Sequence, residues 1–259
     1  MDESSLIDWV FAHDPFLVFA LGFIIVHEIT FVGGSLFLAA IDYFDLSPES
    51  KIQKGKHPDK ETIGFWNCLG LLALNHLVFQ PLMLPLTYKI AVLRGMKMNL
   101  PLPSVLEVIT HVAACLFINE ALFYWGHRAL HHPLLYRRFH KIHHHFHVPV
   151  AFSAEYVHPV DNLITTAIPL AAGPLLLGSH MFTFWIITVI RLAEGLDGHS
   201  GHDFWWSPFR YFPFRPSAAV HDFHHSANSG NYGGLLLLWD WLCGTDAAYK
   251  KFLAKQKTN

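Results

Sequence analysis

The chain has 259 residues, of which 52% are hydrophobic and only 15% charged, too apolar for an ordinary soluble globule and suggestive of a bilayer. A formal net charge of −2 offers no general attraction to polyanions and argues against nucleic acid as a partner. Three cysteines, Cys68, Cys115 and Cys243, lie in apolar stretches and read as reduced thiols, not as a disulfide framework or a cysteine zinc site.

The start, Met1-Asp2-Glu3-Ser4-Ser5, is acidic and lacks the basic opening of a secretory signal. The apolar run from Phe16 to Ile41 is therefore expected as a retained membrane helix, being longer than the roughly 20 residues a span needs. His27 and Glu28 interrupt it; such residues pair with a neighbouring helix or face an interior cavity. A polar loop from Asp42 to Glu61 follows, and its Lys51, Lys54, Lys56 and Lys60 favour the cytosolic side.

A second apolar segment runs from Ile63 to Leu86, with Pro81 and Pro85 expected to bend or end it. A third, Val105 to Trp125, follows Pro101 and Pro103. The pairs Asn75-His76 and Asn119-Glu120 either line a site or bond between helices. Residues 126–158 are polar and rich in histidine. Val160 to Leu196 is apolar again, too long for one span and short for two, and interrupted by Pro169 and Gly173-Pro174. A second histidine-bearing polar stretch, 197–231, precedes Tyr232 to Trp241, which is apolar but too short to cross. No repeat or separable second domain is visible. The chain reads as one membrane domain, 1–259, made of N-terminal helices and loop (1–104), a catalytic region (105–250) and a basic tail (251–259). Lys255 and Lys257 in that tail resemble a dilysine retrieval signal of the endoplasmic reticulum.

Histidine is the anomaly, 20 residues against 18 lysines and arginines together. Three groups stand out: His127 with His131, spaced H-x3-H; then His140, His143 and His144; then His221, His224 and His225, the last two spaced H-x2-H-H. On a helix, positions i, i+3 and i+4 share a face, so each group can aim its imidazoles inward. At this histidine content one such triple is expected by chance about 0.1 times, and the full set far less often. Neutral imidazole suits iron, copper, zinc or nickel. Eight imidazoles exceed the coordination of one metal, so two metals are expected. His158 and His199 flank the groups and would bring the set to ten, with His202 an alternative to either. His132, His145 and His147 read as bystanders, and His13, His57, His76, His111 and His180 as structural. Asp197 and Asp222 are candidates for fixing ring tautomers, or for helix caps. Both triples must reach one centre, so an even number of crossings separates them. The 160–196 stretch is then a helical hairpin turning near Gly173-Pro174.

The three histidine boxes resemble those of the fatty acid hydroxylase and sterol desaturase superfamily of membrane diiron enzymes. Closer strings are similar to the C4-methylsterol oxidases: Tyr124-Trp-Gly-His-Arg-Ala-Leu-His131, Ala154-Glu-Tyr-Val-His-Pro159, His199-Ser-Gly, the run from Trp206 to Phe214, His221-Asp-Phe-His-His225 and Gly244-Thr-Asp246. The likeness covers roughly residues 115–250. It departs at His202, where tyrosine is usual, at Arg215-Pro-Ser-Ala-Ala, and in the run from Ser226 to Gly234, so it specifies the chemistry better than the substrate.

This resemblance implies an all-α integral membrane protein whose transmembrane helices carry a cytosol-facing helical cap with a histidine-rich dimetal site. It further implies two Fe ions, O2 as co-substrate, and oxidation of a sterol 4-methyl group in the endoplasmic reticulum membrane. No glycine-rich dinucleotide loop or haem motif occurs. Electrons are therefore expected from NAD(P)H through an external carrier, by family likeness cytochrome b5 and its reductase. Arg128, Arg137, Arg138 and Lys141 would dock an acidic carrier or sit at anionic headgroups. The alternatives are another lipid hydroxylase or desaturase of the superfamily, a zinc hydrolase, for which the H-E-x-x-H string is absent, and a metal transporter, whose ligands belong near the bilayer midplane.

Overall fold

The computed structural model describes residues 12–58, 64–212, 214 and 217–258. The acidic start, Lys60, and Arg215-Pro216 at the head of the atypical turn lie outside these residues. Among the described residues the chain is helical and carries no β-strand, only two isolated bridges.

Four helices are long and apolar enough to cross a membrane: α1 (Pro15–Tyr43), α2 (Trp66–Leu93), α3 (Val105–Leu130) and α4 (Pro159–Leu177). Asp14 starts α1, its Oδ1 accepting from Phe16 N at 2.9 Å and Leu17 N at 3.1 Å, which satisfies two amides that the helix cannot. Ser104 does the same for α3. Leu21, Ile25, Ile29 and Leu36 of α1 and Leu77 and Leu82 of α2 are exposed. Contiguous apolar surface of that extent needs lipid around it.

Pro81 and Pro85 do not end α2, which continues to Leu93. A π-helical turn, Asn75–Phe79, precedes them. Such local widening re-satisfies backbone groups that a proline would orphan inside a bilayer. The hairpin expected in 160–196 is present, but its turn is at Gly178, not at Gly173-Pro174. Gly178 adopts φ +58° as the left-handed cap of α4, and His180 opens α5 (Met181–Gly198), its ring accepting from Phe182 N. Gly173 has a different task. A Cβ there would stand 2.7 Å from Cys115 Cα of α3, so the glycine permits close helix approach, as small residues do in membranes. Gly126 likewise lies against Ile164. α1 and α5 use the same device, Gly22 against Trp185 and Gly34 against Leu196.

The helices bring the histidine segments to one end. Arg94 Nε, after α2, reaches Leu175 O of α4 at the far end, and Met181 N bonds Lys97 O there. At the opposite end the loop after α1 packs on the histidine-bearing segments. Ile52 N donates to Gly201 O, Gln53 Nε2 donates to His147 O, and Lys51 pairs with Asp42. Three shorter helices complete the cap: α6 (Ala218–Ala227), α7 (Leu238–Cys243) and α8 (Ala247–Gln256). The chain between α6 and α7 is tied down by Glu120 of α3, whose carboxylate accepts from Gly234 N at 2.7 Å and Leu235 N at 2.9 Å.

Candidate metal centre

Nine of the ten expected histidines gather at the capped end of the bundle. One group comprises His127, His131, His140, His144 and His224; the other His143, His199, His221 and His225; within each, the candidate donor atoms lie within 4.8 Å of one another. The boxes do not map one to one onto the groups. The helical angle explains why. At 100° per residue, i and i+4 diverge by about 40°, while i+3 and i+4 diverge by about 100°. The i, i+4 pairs stay together (His127 with His131, His140 with His144, His221 with His225) and each i+3 residue, His143 or His224, crosses to the other group. The local backbone adds to the spread. His140 ends a π-helical turn, Tyr136–His140, and His143–His145 is a 3-10 turn, so the second box is not on a continuous α-helix.

The Nε2 atoms face one another. His127 to His140 and His144 to His140 are each 3.1 Å, and His131 to His224 is 3.2 Å. In the second group His221 to His199 is 3.0 Å, His225 to His199 3.2 Å and His143 to His199 3.3 Å. Two nitrogens each about 2.1 Å from one cation, at right-angle to tetrahedral spacing, are about 3.0–3.4 Å apart. Five of the nine outer nitrogens have acceptors. His127 Nδ1 is 2.8 Å from Tyr232 O, His140 Nδ1 2.6 Å from Asp161 Oδ2, His199 Nδ1 2.7 Å from Gly195 O, His224 Nδ1 2.6 Å from Gly230 O and His225 Nδ1 3.0 Å from Phe146 O. Acceptors at Nδ1 put the ring hydrogen there and leave Nε2 as a bare lone pair. Within His127–His140 and within His199–His225, two such lone pairs face each other with no hydrogen between them. That is repulsive unless a cation occupies the space, so the residues fit a metal in each group.

Electrostatics agree. Burial, and then the neighbouring imidazoles, hold His131, His143, His144, His221 and His225 well below the ordinary histidine range. Burial lowers His199 to about 4 and His224 to about 3. All seven are neutral at physiological pH, the form that ligates. Gly230 is obligatory in this frame. It has φ +70°, and a Cβ would lie 2.4 Å from Thr245 O, so only glycine lets its carbonyl meet His224.

The remaining sequence candidates are elsewhere. His158 is in neither group; its Nδ1 accepts from Val160 N at 3.1 Å and caps the start of α4. His202 bonds Ser50 Oγ at 2.8 Å and stacks on Phe204. Asp222 accepts from Gln53 and Asp197 interacts with Ser207, so neither orients a ring of the two groups. The carboxylate that does is Asp161, which sequence reasoning missed. It is a single acid in the first turn of an apolar helix, with no spacing to announce it.

A cavity opens onto His127, His140, His143, His199 and His221. Its other walls combine the apolar Phe31, Phe123, Leu170 and Leu192 with the polar Asn119, Glu155, Asp161, Arg191 and Glu194.

Comparison with known proteins follows the same lines. The family described as fatty acid hydroxylase matches residues 112–245. A very-long-chain aldehyde decarbonylase GL1-8 of Oryza sativa is 34% identical across 98% of this chain and 95% of its own length. Methylsterol monooxygenase 2-2 of Arabidopsis thaliana is 33% identical across 91% and 88%. Methylsterol monooxygenase 1 of Rattus norvegicus is 33% identical across 96% and 85%. No solved structure matches.

Proposed function

The chain belongs to the fatty acid hydroxylase family, and from this we propose that it is a membrane diiron monooxygenase oxidising the C4 methyl group of sterol intermediates. The observation that carries the reading is the convergence of nine imidazoles in two groups, five of them on the wall of a cavity at the end of membrane helices. His127, His131, His140, His144 and His224 hold one iron; His143, His199, His221 and His225 hold the other. Two irons so held would supply the reductive activation of O2 that oxidation of an unactivated methyl group requires, a chemistry that imidazoles and carboxylates alone do not provide.

The protein's own groups do the rest. Asp161 and the carbonyls of Tyr232, Gly195, Gly230 and Phe146 keep the donor nitrogens bare and aimed inward. The aromatic and aliphatic walls exclude water and seat a lipid. Asn119 Oδ1, buried without a hydrogen-bond partner, offers an acceptor to a polar substituent of the substrate. Each methyl-to-alcohol step consumes O2, two electrons and two protons, and releases water. The electrons come from NAD(P)H through cytochrome b5 and its reductase. Arg128, Arg137, Arg138 and Lys141 are exposed beside the first two boxes and provide the basic surface for an acidic carrier. That surface faces the cytosol from the endoplasmic reticulum membrane.

The 34% identity to an aldehyde decarbonylase favours a second reading, a long-chain aldehyde as substrate. Purified protein with cytochrome b5, its reductase and NADH separates the two. Conversion of a 4-methylated sterol to its 4-hydroxymethyl and 4-carboxy products supports the sterol assignment. An unchanged sterol, with consumption of a very-long-chain aldehyde, overturns it.

A further inference from the structure

Outside the two histidine groups, four ionisable side chains meet inside the bundle: His27 and Glu28 of α1, His76 of α2, and Glu155 from the turn before α4. Both outer nitrogens face one carboxylate. His27 Nδ1 is 3.1 Å from Glu28 Oε1, and His76 Nδ1 is 3.0 Å from both Glu28 oxygens. Both Nε2 atoms face the other carboxylate, His27 at 3.1 Å from Glu155 Oε1 and His76 at 2.7 Å from Glu155 Oε2. The rings cross at 76° with centroids 5.3 Å apart, close to the 72° and 4.9 Å of His127 and His140.

With Glu28 accepting both Nδ1 hydrogens, each Nε2 presents a lone pair toward an anionic carboxylate. That arrangement requires positive charge between them, either a proton on each ring or a metal cation shared by both. His76 discriminates. Its Nε2 is buried and makes no hydrogen bond, although Glu155 Oε2 is only 2.7 Å away; the oxygen lies off the direction in which an N–H would point. His27 Nε2, by contrast, meets Glu155 Oε1 at 3.1 Å in hydrogen-bonding geometry, so it is the His76 nitrogen that is left for a cation. The π-helical turn Asn75–Phe79 is what rotates His76 into place.

We propose that His27, His76 and Glu155 form a third cation site, for a divalent metal of the zinc class, oriented by Glu28. Two imidazoles and a carboxylate are an established donor set for zinc, which takes four ligands and leaves one position open here. A carboxylate holding the far nitrogens is the usual support of such a set. Charge balances, since one divalent cation offsets Glu28 and Glu155 with both rings neutral. The three donors also line a second cavity, together with Phe23, Phe79, Gln80 and Met83. Glu155 and Leu170 line both cavities, so the site stands in the wall between them and fastens α1 and α2 to the catalytic segment.

The test is metal stoichiometry on the purified full chain, equilibrated with Zn2+, desalted, and analysed for all first-row metals together. Wild type is expected to retain three equivalents per chain. His27→Gln and His76→Gln should each retain two, and Glu28→Gln should bind the third about 10–100-fold more weakly. His143→Ala, which disturbs only the large centre, should keep the third equivalent. Wild type that retains two overturns the proposal, whatever the variants do, and leaves a ring of two imidazoliums on two carboxylates. Variants that fold and still retain three overturn it as well.

Discussion

Asp161 and His140 meet at 2.6 Å between Oδ2 and Nδ1, with both side chains 2% exposed or less. Thr165 Oγ1 donates to the other Asp161 oxygen at 3.1 Å, so the carboxylate is itself held. Among the five rings of the two metal groups with an acceptor at Nδ1, His140 faces a carboxylate and the others face carbonyls. Asp161→Asn can offer its amide NH2 toward His140, which favours the wrong tautomer. We expect a loss of about 10–100-fold in affinity for one iron, read as faster loss to a chelator, with helical content unchanged. Equal retention by variant and wild type would show that Asp161 does not set the ring.

His199 and His158 flank the boxes alike in sequence and differ in place. His199→Ala should lower bound iron and abolish turnover. His158→Ala should keep its iron and lose only a helix cap, about 0.5–2 kcal/mol of stability. Iron analysis and thermal unfolding of the two variants check this. Iron loss from His158→Ala would contradict the assignment.

Acid should destabilise the metal-free protein. His199 and His224 are held at about 4 and about 3, below the ordinary value near 6.5. Above about pH 6.5 neither folded nor unfolded chain protonates them, and stability is flat in this respect. Below it the unfolded chain takes up protons that the folded chain refuses. Stability then falls as pH falls, by up to about 1.4 kcal/mol per pH unit for each group. The fall continues to about pH 4 for His199 and about pH 3 for His224. Chelator-treated protein should melt at lower temperature at pH 5 than at pH 7. A higher melting temperature at pH 5 would contradict the buried neutral assignment.

Arg137 and Arg138 are exposed on the turn that leads into the second box. Reversing both, Arg137→Glu with Arg138→Glu, should raise KM for cytochrome b5 several-fold while kcat at saturating carrier changes little. The effect should shrink with added salt, as steering by exposed charge does. An unchanged KM would place the carrier elsewhere and leave these arginines to the membrane surface.

Much of this architecture is legible in the chain. Hydropathy locates the first three spans because a bilayer imposes length and composition directly, whereas the 160–196 hairpin is legible only from the need for both triples to reach one centre. Histidine spacing locates the centre because i, i+3 and i+4 share a helix face. What spacing does not carry is the identity of the facing partner. The exchange of His143 and His224 between groups follows from the 100° between successive residues, yet only the tertiary fold says what lies in each direction. Gly173-Pro174 reads as a turn by its residue types, but the chain uses that glycine to approach Cys115, and turns instead where Gly178 reaches positive φ. His158 looks like a ligand by proximity and is a cap. The meeting of His27, His76 and Glu155 leaves no local trace, since 128 positions separate His27 from Glu155.

The central claim is that the two histidine groups hold two separate irons, and iron content of the purified protein tests it most directly. Wild type should carry two irons per chain. His144→Ala and His143→Ala, neighbours in sequence, should each lose one and retain the other, with distinct Mössbauer signatures for the iron that stays. A wild type with a single iron or none, or variants that lose both irons in the same way, would contradict it.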